Sequence, residues 1–357
     1  MTAPKARADL AGIPAYVPGK PSAPGSFKLS SNENPHPAPP ELLAAMERAV
    51  AQANRYPDMG ASAMYAALAG HLGVDEARLA FGTGSVAVLY HLLQAFCLPG
   101  DEVVYAWRSF EAYPIAVTVA GATGVQVPIT ADGRHDVQAL AAAITERTRV
   151  VLLCTPNNPT GPALSHAEVS AFLETVPERV VVVLDEAYRE FVDMDDPLDA
   201  VALADRHDNV VVMRTLSKAY GLAGLRVGYL IAHPEVAAAV RVCALPFGVS
   251  HVAQEAVIAA LVHEEALLAG VAQVLTERDR VTEALAEMGW ALPDAQGNFV
   301  WFPVGEHALD FAASAEEYGV VVRPFAGDGV RVSIGEPEAN DRVLALARDF
   351  LGRSADA

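Results

Sequence analysis

The sequence predicts a doubly wound α/β domain followed by a smaller α+β domain, and three observations carry that expectation. From Leu79 onward, apolar runs alternate with helical stretches at intervals of about thirty residues, the rhythm of βαβ units. Runs such as Val180-Val181-Val182-Val183-Leu184 are apolar throughout, so helices should cover both faces of a mostly parallel sheet. After Pro246 strict alternation stops, and long helical stretches give way to short strands and a final helix.

Taken in order, residues 1–40 carry nine prolines between Pro4 and Pro40, which makes this an extended arm that needs a surface to lie on. Glu41 to Gln52 reads as an amphipathic helix, followed by the turn Asn54-Arg55-Tyr56-Pro57-Asp58 and a second helix from Met64 to Leu72. Seven strands are expected near 79–82, 102–107, 123–129, 150–155, 180–184, 210–214 and 227–232. Beyond them, helices are expected over Val249 to Val262, Glu265 to Met288 and Glu338 to Leu351, with strands at Phe299 to Pro303, Val320 to Val322 and Val330 to Ile334. The expected division is an arm over 1–40, a large domain over 41–246 and a small domain over 247–357.

Composition narrows the function. A chain of 357 residues with 52% hydrophobic content exceeds what one core usually serves. The net charge of -19 argues against nucleic acid and anionic membrane as partners, because phosphate surfaces require clustered positive charge. Cys97, Cys154 and Cys243 have no metal-ligand or redox spacing, so no metal is expected. They read as reduced thiols in a cytoplasmic protein, and neither a signal peptide nor a membrane span is evident.

The chemistry centres on Thr215-Leu216-Ser217-Lys218-Ala219-Tyr220-Gly221-Leu222-Ala223-Gly224-Leu225-Arg226, which follows the apolar run Val210 to Met213. Of 25 basic residues only Lys5, Lys20, Lys28 and Lys218 are lysines, so Lys218 stands alone beyond the arm. An ammonium, unlike a guanidinium, can lose its proton and become a nucleophile, which suggests Schiff-base chemistry. Thr215 and Ser217 offer hydroxyls, and Arg226 is eight residues on, where it can meet a phosphate. This segment resembles the pyridoxal-phosphate lysine motif of the class II aminotransferases of fold type I.

Other residues fit that resemblance. In an open parallel sheet the ligand sits at the carboxyl ends of the strands, where Asn158, Asp185 with Tyr188, and Lys218 follow three successive apolar runs. A carboxylate at Asp185 suits a protonated pyridine nitrogen, and Asn158 and the Tyr188 hydroxyl suit the ring's phenolate oxygen. Gly84, Ser85 and Val86 open a helix after the first strand, where free N–H groups can hold a dianion. Singly, each residue also has a structural reading: Asp185 as a helix N-cap, Asn158 as a turn residue, Tyr188 as a core aromatic. The resemblance further implies that Phe110 lies over the ring, that Tyr56 reaches the phosphate of a neighbouring subunit in a homodimer, and that Arg331 grips the substrate α-carboxylate. Plain packing is the competing reading of Phe110, a plain turn that of Tyr56, and structural ion pairs that of Arg331 and Arg323.

From Ala11 to about Phe350 the sequence is similar to the histidinol-phosphate aminotransferase family, and more closely to its actinobacterial branch of aromatic amino acid aminotransferases. The motifs are Leu29-Ser30-Ser31-Asn32-Glu33-Asn34-Pro35, the arm Leu10 to Lys20, Trp107 to Tyr113, and Pro246-Phe247-Gly248-Val249-Ser250. Val86 stands where histidinol-phosphate enzymes commonly carry an acidic residue. The resemblance implies amino transfer from phenylalanine, tyrosine or tryptophan to 2-oxoglutarate, with Lys218 carrying the cofactor and moving the Cα proton. Tyr16, Asn32, Trp107 and Arg323 are the candidates for a pocket that accepts both an aromatic side chain and a γ-carboxylate. The alternatives are a histidinol-phosphate aminotransferase, a lyase or decarboxylase with the same cofactor, and a non-catalytic cofactor-binding regulator. The last would need a DNA-binding segment, which the acidic sequence does not supply.

Overall fold

The structure, a computed structural model, describes residues 5–10, 12–13, 15, 19–21 and 23–355. Tyr16 lies outside them. The strands are β1 (Phe27–Lys28), β2 (Leu79–Gly82), β3 (Glu102–Trp107), β4 (Thr123–Pro128), β5 (Thr148–Cys154), β6 (Val181–Asp185), β7 (Val210–Thr215), β8 (Gly228–Ile231), β9 (Phe299–Phe302), β10 (Val320–Val321), β11 (Arg323–Phe325) and β12 (Gly329–Ser333).

Seven of them form one sheet in the order β2-β8-β7-β6-β5-β3-β4, parallel except for β8, which runs against both its neighbours. Alternate residues feed separate cores on the two faces. Val151, Leu153, Val182, Leu184, Val210 and Val212 join one, and Val150, Leu152, Val181, Val183, Val211 and Met213 join the other. This explains why the central runs Val150 to Leu153, Val181 to Leu184 and Val210 to Met213 are apolar throughout, since each side chain there is buried whichever way it points.

A third core belongs to the C-terminal part. There β11, β12 and β9 form an antiparallel sheet, packed with the helices Glu264–Glu287, Ala308–Glu317 and Pro337–Ala355. The extended arm finds its surface here: β1 pairs in parallel with β10, and Leu29 enters the third core. The helix His251–Val262, expected in the small domain, instead packs with the first core through Ala253, Ala256, Val257 and Ala260. The expected division at 246/247 therefore does not coincide with the division of the cores. The chain crosses between them within Glu264–Glu287, where Leu267 joins one and Val271 the other.

The parallel strands point their carboxyl ends at one edge, where Cys154, Asp185 and Met213 lie side by side. At that edge β8 begins against the start of the helix Ser85–Phe96. A Cβ on Gly228 would lie 2.1 Å from the Ser85 nitrogen, so only glycine fits.

Candidate active site

A cavity of about 880 Å³ opens at this edge, between the large sheet and the small domain. Its lining includes Ser85, Val86, Phe110, Asn158, Asp185, Tyr188, Thr215, Ser217, Lys218, Arg226, Arg323 and Arg331, so these sequence candidates converge on one space.

Lys218 follows β7 and is enclosed by the arm, with Nζ donating to the Ser31 carbonyl at 3.0 Å. Burial, and after it the charge of Arg331, lowers its pKa from 10.5 to about 7, although Glu33 opposes this. At neutral pH much of the amine is therefore unprotonated and nucleophilic.

Asp185, the last residue of β6, is 4% exposed. Its Oδ2 accepts from the Tyr113 hydroxyl at 2.7 Å, whereas Oδ1 has no hydrogen-bond partner although the residue lines the cavity. Burial raises its pKa to about 6, against the Tyr113 hydrogen bond that favours the carboxylate. An orphaned, buried carboxylate oxygen is costly unless a cationic donor meets it.

Tyr188 is buried edge-on against Phe299, at 5.1 Å between ring centroids, and burial raises the pKa of its phenol. Its hydroxyl accepts from Asn32 Nδ2 at 3.0 Å and keeps its own proton to donate. The Asn158 side-chain oxygen accepts from Arg331 Nη1 at 2.6 Å, which leaves its amide nitrogen as the donor toward the cavity.

The anion end is built from backbone and hydroxyls. Gly84 caps the helix Ser85–Phe96 at φ 86°, and a Cβ there would strike Arg226 Nη2 at 2.4 Å. The first N–H groups of that helix have no intrahelical acceptor. Arg226 Nη1 reaches Ser217 Oγ at 3.4 Å and the Ala223 carbonyl at 2.9 Å, and no carboxylate pairs with Arg226 among the described residues. Thr215 Oγ1 donates to Ser217 Oγ at 3.0 Å.

Arg323 and Arg331 are direct cross-strand partners on β11 and β12, so their side chains leave the same face of the small sheet. Arg331 Nη2 donates to the Ser30 carbonyl at 2.7 Å. Arg323, expected to take a second anion, already holds Glu111, with Nη2 at 2.7 Å and Nε at 3.3 Å from its Oε2.

Three candidates lie elsewhere. Asn32 is fully buried behind Tyr188, its amide oxygen accepting from Ser333 Oγ at 3.0 Å, so it supports the site and does not line it. Trp107 turns away to stack under the Arg108 guanidinium at 4.4 Å, and Arg108 pairs with Asp328. Tyr56 is 83% exposed against Phe247 and does not reach the cavity of its own chain. Tyr113, Glu111 and the cavity-lining Thr83 were not singled out from sequence. Tyr113 and Glu111 sit in the Trp107 to Tyr113 stretch already noted, and Thr83 in the glycine-rich turn.

This donor set fits pyridoxal 5′-phosphate. The orphaned Asp185 oxygen matches a protonated ring nitrogen, and the helix start with Arg226 matches a phosphate. Fold and site together define a pyridoxal-phosphate-dependent transaminase. Residues 24–346 match the class I and II aminotransferases, and the chain belongs to that family. It is 55% identical to an aromatic amino acid aminotransferase of Streptomyces avermitilis over 98% of both chains. It is 54% identical to one of Streptomyces coelicolor, again over 98% of each. Among solved structures, histidinol-phosphate aminotransferase from Sinorhizobium meliloti in complex with pyridoxal-5′-phosphate superposes with a TM-score of 0.88, at 27% identity and 99% coverage of both chains.

Proposed function

We propose that the chain transfers the amino group of phenylalanine, tyrosine or tryptophan to 2-oxoglutarate, as a homodimer in the cytoplasm. The observation that carries the substrate choice is the Glu111–Arg323 pair. A dianionic substrate phosphate needs a cation ready to receive it, whereas here Glu111 already offsets Arg323, one of the three cavity arginines. Phe110, Ile115 and Leu245 add apolar lining for an aromatic ring. The names of the relatives at 55% and 54% identity agree with this reading.

When bound, the cofactor supplies the electron sink that lets the substrate Cα–H bond ionise. Asp185 Oδ1 would face the ring nitrogen, and Asn158 with Tyr188 the phenolic oxygen. Ser85, Thr215, Ser217, Arg226 and the backbone of Gly84 to Val86 would hold the phosphate. Arg331 is suited to the α-carboxylate by its planar fork. Lys218 Nζ, with its depressed pKa, would hold the cofactor and, once freed by the incoming substrate amine, would take the proton from Cα.

The dimer is supported by exposed apolar side chains beside the cavity. Tyr56, Met59, Val242, Leu245 and Phe247 are all exposed, and the last four border a second cavity that shares Thr83, His91 and Leu245 with the first. A second copy of this chain would cover them. Among the described residues no single helix is long and apolar enough to cross a membrane. The deciding measurement is kcat/KM for phenylalanine against histidinol phosphate, each with 2-oxoglutarate. Phenylalanine is expected to lead by roughly tenfold or more, and a preference for histidinol phosphate overturns the choice.

A further inference from the structure

Beside the backbone N–H of Ala187, the Asp185 carboxyl has one side-chain donor. Tyr113, on the helix Ala112–Val119, is completely buried, and its hydroxyl donates to Asp185 Oδ2 at 2.7 Å. Oδ1 remains without a hydrogen-bond partner, although the residue lines the cavity. The other titratable groups close by are the Cys154 thiol at the end of β5 and, in the turn after β6, Glu186 and Tyr188. None of them donates to either oxygen: Cys154 Sγ bonds the Pro156 carbonyl at 3.4 Å, the Tyr188 hydroxyl engages Asn32, and Glu186 is paired with Arg214 of β7. Tyr113 itself packs edge-on between Tyr105 and Phe110, at 5.9 and 5.6 Å, so its ring has little freedom to swing away.

We infer that Tyr113 is a positioning residue: its hydroxyl holds Asp185 in the orientation that turns Oδ1 toward a cationic ring nitrogen, and keeps the carboxyl ionised. A buried carboxylate left to itself would take up a proton, and a protonated acid cannot hold the charge on the ring. A fixed phenol donor opposes that protonation and also locks the side-chain rotamer. The inference rests on the assignment of Asp185 to the ring nitrogen.

The test measures binding of pyridoxamine 5′-phosphate, which cannot bond covalently to Lys218, to the cofactor-stripped full chain between pH 5 and 8, by quenching of intrinsic fluorescence. In the natural chain affinity should fall below pH about 6, where Asp185 protonates. Tyr113→Phe should weaken binding roughly tenfold at pH 7 and move that midpoint up by about one unit. In an Asp185→Asn background the same change should cost less than about twofold, because the interaction is lost already. An equal loss in both backgrounds, or an unmoved midpoint, overturns the inference while leaving the assignment of Asp185 intact. Unchanged affinity in Asp185→Asn alone overturns both. Should Tyr113→Phe not fold, the natural chain grown with 3-fluorotyrosine gives the reading: a more acidic phenol is a stronger donor, the midpoint should move down, and no movement overturns the inference.

Discussion

At the scale of the residue, the surroundings of Lys218 turn an ordinary ammonium into a nucleophile. Burial and Arg331 bring its pKa down to about 7 from the ordinary lysine value of 10.5. The free amine is the reactive form, so the depressed pKa places its appearance near neutrality. In the cofactor-stripped chain, the rate of capture of pyridoxal phosphate should rise about tenfold per pH unit below 7 and level off above roughly pH 8. A rate that keeps climbing through pH 9 contradicts this. Lys218→Ala should reduce turnover roughly a thousandfold or more with the fold retained, checked by circular dichroism. Lysine scarcity made Lys218 legible, and polar residues closing apolar runs did the same for Asp185 and Asn158. Tyr113 and Glu111 escaped because their roles come from partners far along the chain, Asp185 and Arg323, and neither separation follows any local period.

Elements add what single residues cannot. The antiparallel register of β11 and β12 sets Arg323 opposite Arg331, and like charges facing across strands repel unless an anion intervenes. Glu111, which precedes the helix Ala112–Val119 of the large sheet, supplies that anion for Arg323. Glu111→Gln should therefore turn more of the Arg323 charge toward the substrate side chain. The expected result is a kcat/KM for phenylalanine lowered roughly tenfold, with that for glutamate or 2-oxoglutarate unchanged or raised. Equal changes for both substrates would place the pair outside side-chain recognition. The central strands β5, β6 and β7 were legible because burial on both faces gives each a run of four or more apolar residues. The strands β1 and β11 were not, because Phe27-Lys28 and Arg323-Pro324-Phe325 lack the apolar run that marked the equally short β10. Pairing with a distant strand is what makes β1 extended.

At the scale of the whole molecule, the loss of alternation after Pro246 announced a separate C-terminal core, but not where that core begins. The helix His251–Val262 is apolar on most sides, and sequence cannot tell which core an apolar helix joins. The same limit governs Tyr56. Its exposure within one chain, beside exposed Met59 and Phe247, is explained if its partner lies in a second copy. Shared sites make a sharp expectation for mixed subunits. Lys218→Ala chains lack the reactive amine, and Tyr56→Ala chains lack the tyrosine they would lend to their neighbour. In a mixed dimer, one site suffers both losses and the other neither, because the Tyr56→Ala chain keeps Lys218 and receives Tyr56 from its partner. Random reassortment of equal amounts should restore about a quarter of the natural activity, since half the dimers are mixed and each has one intact site. If Tyr56 instead serves its own chain, mixing restores nothing, and the activity is the average of the two variants measured apart.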